Sequence, residues 1–355
     1  MSESPLDVSD PRGAADREST TRAERDAVEQ GRAGGAAALL RSGLGRNLGL
    51  VVALVLLCAV GVATAGDRFA STDNALTILR LAATIGVVSI GMTFVITGGG
   101  IDLSVGAILA LASVWSTTLA TQQMAQDTHW VVMVGAALAV GAGCGLVNGL
   151  LIAYGGVVPF IATLAMLASA RGLAEIISER RTQIVDVPAF TDVFTSEILG
   201  IPFIVILFVV VAALGWVLLN RTTFGRRTLA VGGNPEAARL AGINVRRHTV
   251  YLYVLVGVCC GIAALMIISR TTTGSATHGQ LYELDAIAAV VIGGTLLSGG
   301  RGTIVGTVFG VLIFTTLTNV FTLNNRSISE QSLLKGAIIV AAVLLQQRLA
   351  SRSNT

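Results

Sequence analysis

RTTFGRRTLAVGGNPEAARLAGINVRRH occupies residues 221–248 and parts two long apolar runs. Six arginines lie in it. Asn234 can cap a helix, Pro235 suits the first helical position, Glu236 faces the positive helix end, and Gly242 can close it. Ala237, Leu240 and Ala241 then share one face, with Glu236 and Arg239 elsewhere. A short helix with its own start and stop signals, set in a basic loop of a very apolar chain, is a preformed handle for a cytoplasmic partner.

The apolar runs set the class. The chain has 355 residues, 53% hydrophobic and only 13% charged, against roughly 25% charged in a soluble domain. Its mean hydropathy is +0.76. With 41 glycines, this composition predicts an all-α integral membrane protein. Ten candidate transmembrane helices can be drawn, at about 48–66, 75–97, 102–121, 129–154, 159–178, 201–220, 249–270, 283–298, 303–323 and 329–347. Glycine-rich breaks separate the second from the third and the eighth from the ninth. Residues 48–348 form one membrane domain, with 221–248 as its cytoplasmic loop. Residues 1–47 are polar and carry too little apolar surface to order themselves, so they read as a disordered cytoplasmic tail. Residues 349–355 form a second short tail. The apolar run begins too late for a cleaved secretory signal and is read as a retained first span.

Arginine and lysine placement sets the orientation. With both termini cytoplasmic, the inner segments hold 16 of the 24 basic residues and the outer segments four. The outer loop 179–200 is long enough for a small surface helix.

Several chemistries find no support. Lys335 is the sole lysine and lies in an apolar run, so the chain has no phosphate-cradling Gly-Lys-Ser/Thr loop. The peptide from Leu297 to Arg301 looks like an ATPase signature but joins two spans, and is read as a glycine turn. Cys58, Cys144, Cys259 and Cys260 sit in apolar runs as small packers. His129, His248 and His278 are scattered, so no metal site and no nucleophile–base pair is suggested. Nothing points to nucleic acid.

Polar residues within spans are the candidates for a solute pathway or gate. Asp102 lies beside three glycines, with Ser104 on the same turn. It is either a pathway residue at a helix break or a first-turn acid that satisfies backbone N–H groups. Asn148 is a lone amide suited to an interhelical hydrogen bond. Arg171 and Glu175 are four apart and can pair. Glu283 and Asp285 open a span at its outer end, where they either meet solute or sit at the interface. Gly98, Gly99 and Gly100 on one side, and Gly299 and Gly300 on the other, are candidate hinges. The two stretches echo each other at an offset of 200 residues, as internal repeats in transporters do.

Four stretches in order carry a family resemblance: TGGGIDLSVGAILAL (97–111), NGLLIAYGGVVPFIATLAMLASARGL (148–173), TTFGRRTLAVGGNPEAARLAGINV (222–245) and YELDAIAAVVIGGTLLSGGRGTIVGT (282–307). They closely resemble the permease subunits of bacterial ribose-type sugar ABC importers, over about residues 45–348. The resemblance implies a multi-pass protein of the bacterial inner membrane, embedded in lipid. It implies a second permease subunit, a cytoplasmic ABC ATPase that binds the ATP, and an extracytoplasmic sugar-binding protein. The permease itself would hold no cofactor and catalyse nothing. GGNPEAARLAG looks like the family's coupling helix, with Asn234, Pro235, Glu236, Ala237, Arg239, Leu240 and Gly242 forming the ATPase contact. An ion-coupled secondary transporter that needs no ATPase is the rival reading, and a membrane scaffold is a third. Aromatic residues are sparse, which suits a pathway that lets a sugar slide without holding it tightly.

Overall fold

The structure is a computed structural model that describes residues 43–351. Most of the expected amino-terminal tail, and the last residues of the carboxyl-terminal one, lie outside the described residues. The chain divides at Gly49/Leu50 into two units, and Leu50–Thr355 carries everything below except the first turns of the first helix.

Helices dominate. In order they are α1 (Gly43–Ala65), α2 (Thr72–Thr97), α3 (Val105–Ser116), α4 (Leu119–Asp127), α5 (Val131–Ala153), α6 (Pro159–Ile177) and α7 (Pro188–Thr195). Then follow α8 (Phe203–Arg221), α9 (Thr223–Gly233), α10 (Pro235–Leu240), α11 (Val245–Thr271), α12 (Tyr282–Ile292), α13 (Ile304–Leu323) and α14 (Ile328–Ser351). Two small antiparallel pairings join them. β1 (Gln183–Ile184) pairs with β4 (Thr273–Gly274), and β2 (Glu197–Ile198) with β3 (Ile201–Pro202).

The all-α membrane class holds, but the count of ten spans is not reached. Among the described residues seven helices are long and apolar enough to cross a bilayer: α1, α2, α5, α6, α8, α11 and α13. An eighth is reached if α3 and α4, bent by 55°, are one span. The expected span 102–121 is not helical before Val105 and bends after Ser116. The expected span 283–298 contains only the 11-residue α12, which at 1.5 Å per residue is about 16 Å long. That is half of a hydrocarbon layer of roughly 30 Å. Gly294, at φ 88°, turns the chain out of the helix there. Hydropathy registers apolar residues whatever backbone they adopt, so these two broken elements read as whole spans. The third expected span outside the seven, 329–347, falls in α14, a continuous helix of 24 residues.

Helices α2 and α11 form the centre and are buried along most of their length. Ser71 starts α2 by accepting from the Asn74 amide at 3.2 Å, and Asn244 starts α11 by accepting from the Arg247 amide at 3.0 Å. Helix α5 lies closest to α11. Its Gly141, Gly145 and Gly149 recur every four residues and so line one face. A Cβ on Gly145 would collide with the Tyr253 carbonyl, and one on Gly149 would stand 2.8 Å from the Val250 Cα. Small residues let two backbones touch without help from the hydrophobic effect, which is weak between helices in lipid. Val209 and Leu214 on α8, and Ile161 and Leu164 on α6, present apolar side chains outward as a lipid-facing surface requires.

The outer loop 179–200 does carry the expected surface helix. It is α7, anchored by buried Phe190 and Phe194, whose rings stack at 4.6 Å. The expected Arg171–Glu175 pair does not form. Arg171 donates to the carbonyls of Ala276 and His278, the latter at 2.9 Å, while Glu175 accepts from Arg180 at 3.0 Å. Spacing put the two residues on one face, but the chain between α11 and α12 offered Arg171 fixed backbone acceptors.

Candidate coupling helix and glycine junction

Segment 221–248 is more structured than its sequence suggests. It was expected to be a loop around one short helix. It contains α9 and α10, and α11 begins inside it. Helix α9 is started by Thr222, whose Oγ1 accepts from the Gly225 amide at 3.3 Å. It is held inward by Phe224, 6.1 Å from Phe94 and 4.7 Å from His248 between ring centroids, and by Thr228, whose Oγ1 is 2.9 Å from His248 Nε2. Inward residues four apart, Phe224 and Thr228, were the available helical signal, hidden by the Gly225 and the arginines around them.

Helix α10 has the caps its sequence implies. Asn234 Oδ1 accepts from the Ala237 amide at 2.9 Å, and Pro235 stands at the first helical position. Gly242 adopts φ 82°. The Gly242 amide donates to Arg239 O, and that of Ile243 to Ala238 O, each at 3.0 Å, closing the last turn. Glu236 and Arg239 pair through two hydrogen bonds of 3.1 and 2.5 Å. The Arg239 guanidinium holds the Glu236 carboxyl below its ordinary range. Ala238 is the buried residue of the helix. Ala237, Leu240 and Ala241 are exposed, Leu240 by 78%. Among the described residues, nothing covers this small apolar face.

Behind α10 three glycine turns meet. Gly99, Gly299 and Gly300 adopt φ of 84°, 83° and 74°, a left-handed backbone that costs other residues energy. Gly98 and Gly100 are not left-handed. They are sites of close approach instead, with a Cβ on Gly100 only 2.7 Å from Tyr253 Oη. The Gly300 amide donates to the Thr97 carbonyl at 2.9 Å. A Cβ on Gly299 would stand 2.9 Å from the Gly99 Cα and 2.7 Å from the Gly232 carbonyl. A Cβ on Gly300 would be 2.8 Å from the Gly233 Cα, and one on Gly232 would collide with the Thr97 carbonyl. The two echoing breaks therefore touch each other, and Gly232–Gly233 is wedged against both. Asn234, the cap of α10, is the next residue. Sequence reasoning named the first and third turns and missed the second, although a Gly-Gly pair directly before the cap was there to be read.

Asp102, Ser104 and Asn148 come together beside this junction, and all three are fully buried. Asp102 Oδ1 accepts from the Ser104 amide at 2.8 Å and from its hydroxyl at 2.5 Å. Asn148 Nδ2 donates to Ser104 Oγ at 3.0 Å, tying α5 to the break. Tyr253 Oη donates to the Ile101 carbonyl at 3.2 Å. The cluster organises the irregular backbone of 98–104 and, in this conformation, lines no open path. Asp285 is also engaged. Both its carboxylate oxygens are 3.1 Å from Lys335 Nζ, which lies 4.9 Å from the centre of the Phe314 ring. Glu283 is elsewhere, beside Gly106 at the start of α3.

Apolar helices interrupted by paired breaks, with a capped helix exposed at the end where the breaks meet, are the build of a multi-pass transport permease. The chain belongs to the family described as the branched-chain amino acid transport system / permease component, whose model matches residues 74–343. It is 42% identical over 307 residues to the ribose import permease protein RbsC of Bacillus subtilis (strain 168), covering 86% of this chain and 92% of that one. It is 38% identical over 301 residues to the L-arabinose ABC transporter permease protein AraH of Azospirillum brasilense, covering 84% and 87%. It is 33% identical over 297 residues to the D-allose transport system permease protein AlsC of Escherichia coli (strain K12), covering 84% and 90%. No solved structure matches it significantly.

Proposed function

We propose that this chain is the membrane subunit of an ATP-driven importer and forms the pathway for a monosaccharide. Relatives similar over most of their length are permeases for ribose, arabinose and allose, which share a small polyhydroxylated frame. The subunit works with a second permease copy. ATP is bound and hydrolysed by a separate cytoplasmic ATPase, and an extracytoplasmic sugar-binding protein delivers the cargo. The permease itself performs no chemistry. Both termini face the cytoplasm, which puts α10 and the glycine junction on the inner side and the stretch 272–281 on the outer side.

The observation that carries this reading is the position of α10. A rigid, doubly capped helix exposes an uncovered apolar face and runs directly into a junction between two broken helices. The ATPase grips Ala237, Leu240 and Ala241. Movement of α10 shifts Gly233 and with it Gly232, which has no slack against Thr97, Gly299 and Gly300. Packed backbones with no intervening side chains pass displacement on, because interiors are close-packed and resist compression. Both breaks then move together, which suits alternation between inward- and outward-facing states.

Leu240→Glu tests it. The charge falls on an exposed face and leaves every cap intact, so the permease inserts and folds normally. Co-purification with the cognate ATPase should be lost. An ATPase that still binds the variant as tightly as the wild type would remove α10 from the coupling role.

A further inference from the structure

The ten residues between α11 and α12, TTGSATHGQL at 272–281, follow an unusual course. A Cβ on Gly274 would collide with Thr117 Oγ1 and lie 2.9 Å from the Ser113 carbonyl, at the end of α3. His278 Nδ1 is 2.9 Å from Ser113 Oγ. A Cβ on Gly279 would be 2.9 Å from the carbonyl of Gly106 and 3.2 Å from Leu109, at the start of α3. The segment thus descends along α3 from Thr117 to Gly106. Eleven helical residues at 1.5 Å each make about 16 Å, roughly half the hydrocarbon thickness.

Arg171 fixes the descent by donating to the carbonyls of Ala276 and His278, and β1 pairs with its start at β4. Irregular backbone at this depth is tolerated only where protein buries it or water reaches it. One side is buried: Gly274, Ala276 and Gly279 face α3. The other is exposed, with Thr277 and Gln280 pointing outward. Gln280 makes no side-chain hydrogen bond among the described residues. A free carboxamide at membrane depth has no place against lipid. It offers a donor and an acceptor, which is what a sugar hydroxyl takes.

We propose that segment 272–281 is a solute-contacting wall of the translocation pathway, on which Thr277 and Gln280 hydrogen-bond a passing polyhydroxylated solute. This rests on the transport reading above. It adds where the path runs and which side chains touch the cargo. Glu283, whose carboxylate lies beside Gly106 at the foot of the segment, continues the same polar line.

Cysteine accessibility tests it. Thr277→Cys and Gln280→Cys are made with Cys58 and Cys144 replaced by alanine, leaving the buried Cys259 and Cys260 in place. Val209→Cys and Leu214→Cys on α8 are lipid-facing comparators, and the background without an added thiol is the blank. The permease is assembled with its ATPase and binding protein in proteoliposomes and treated with a charged, membrane-impermeant thiosulfonate. Positions 277 and 280 should react at least about tenfold faster than the comparators, since thiol reactivity follows access to water. Rates as slow as those on α8, whether from lipid or from burial against a second permease copy, would overturn the proposal. Labelling needs no transport, so it stands or falls apart from the ATPase reading. Gln280→Leu adds a transport readout. D-ribose uptake should fall severalfold, while ATP hydrolysis stimulated by the loaded binding protein stays within twofold of wild type. Unchanged uptake would remove Gln280 from the solute path.

Discussion

The two ends of this bundle use irregular backbone in opposite ways. At the end that carries α10, the breaks at 98–100 and 299–300 and the last turn of α9 at 232–233 press backbone on backbone, with no side chain between them. At the other end, segment 272–281 also touches backbone, Gly279 against Gly106 of α3, but side chains fix the rest of its course: Arg171 from α6 and Ser113 from α3. In the proposed coupling, the first arrangement is the one that passes displacement on. The second leaves the Gln280 carboxamide without a side-chain hydrogen bond among the described residues, while Thr277 on the same open side bonds Ser275 Oγ at 2.9 Å. The two proposed roles, force transmission and solute contact, ask for those two different constructions.

The sharpest way to break the comparison is to put side chains where none fit. Gly232→Val drives branched carbons into the Thr97 carbonyl and the Gly300 amide. Overpacking of this kind costs about 1–3 kcal/mol, and here it also pries the two breaks apart. ATP-driven uptake should drop to background while the permease still reaches the membrane. Uptake above half of wild type would show that the junction has slack and transmits nothing.

A smaller effect is expected at Asp285 and Lys335, which tie α12 to α14. Asp285→Ala leaves Lys335 largely buried without its partner, a loss of about 3–5 kcal/mol for a buried pair. The melting temperature in detergent should fall by several degrees, and Lys335→Met added to it should recover most of the loss. A single variant as stable as wild type would mean that the pair is solvated and that α14 is held by other contacts.

The smallest effect belongs to the exposed Glu236–Arg239 pair on α10. Arg239→Ala should barely change stability, as surface pairs contribute little. Because Arg239 holds the Glu236 carboxyl low, the pair's contribution is present above the ordinary carboxylate range and is lost as pH falls through the lowered value. ATPase binding in wild type should therefore weaken only in acid. A loss centred near neutrality would point to a different group.

The sequence made some of this plain and hid the rest for physical reasons. Helix α10 was legible because each cap is a local event within nine residues: Asn234, Pro235 and Gly242 act on neighbours in the chain. The helical membrane class was legible because apolar length is additive. The number of crossings was not, since α3 and α12 are short and continue as irregular backbone that hydropathy cannot distinguish from helix. Asp102 was left between two roles, and the structure shows it bonding the Ser104 amide and hydroxyl at the break. Arg171 was assigned the wrong partner because its true acceptors lie about a hundred residues away. Gly232 was overlooked because what makes it matter, the Thr97 carbonyl, comes from a different helix.

The central claim is that this permease is a conduit driven from its cytoplasmic side. Proteoliposomes holding the permease, its binding protein and D-ribose, with ATP inside and the ATPase present or absent, test it most directly. Ribose should accumulate above its external concentration only when the ATPase is present. Concentrative uptake by the permease without any ATPase would contradict the account.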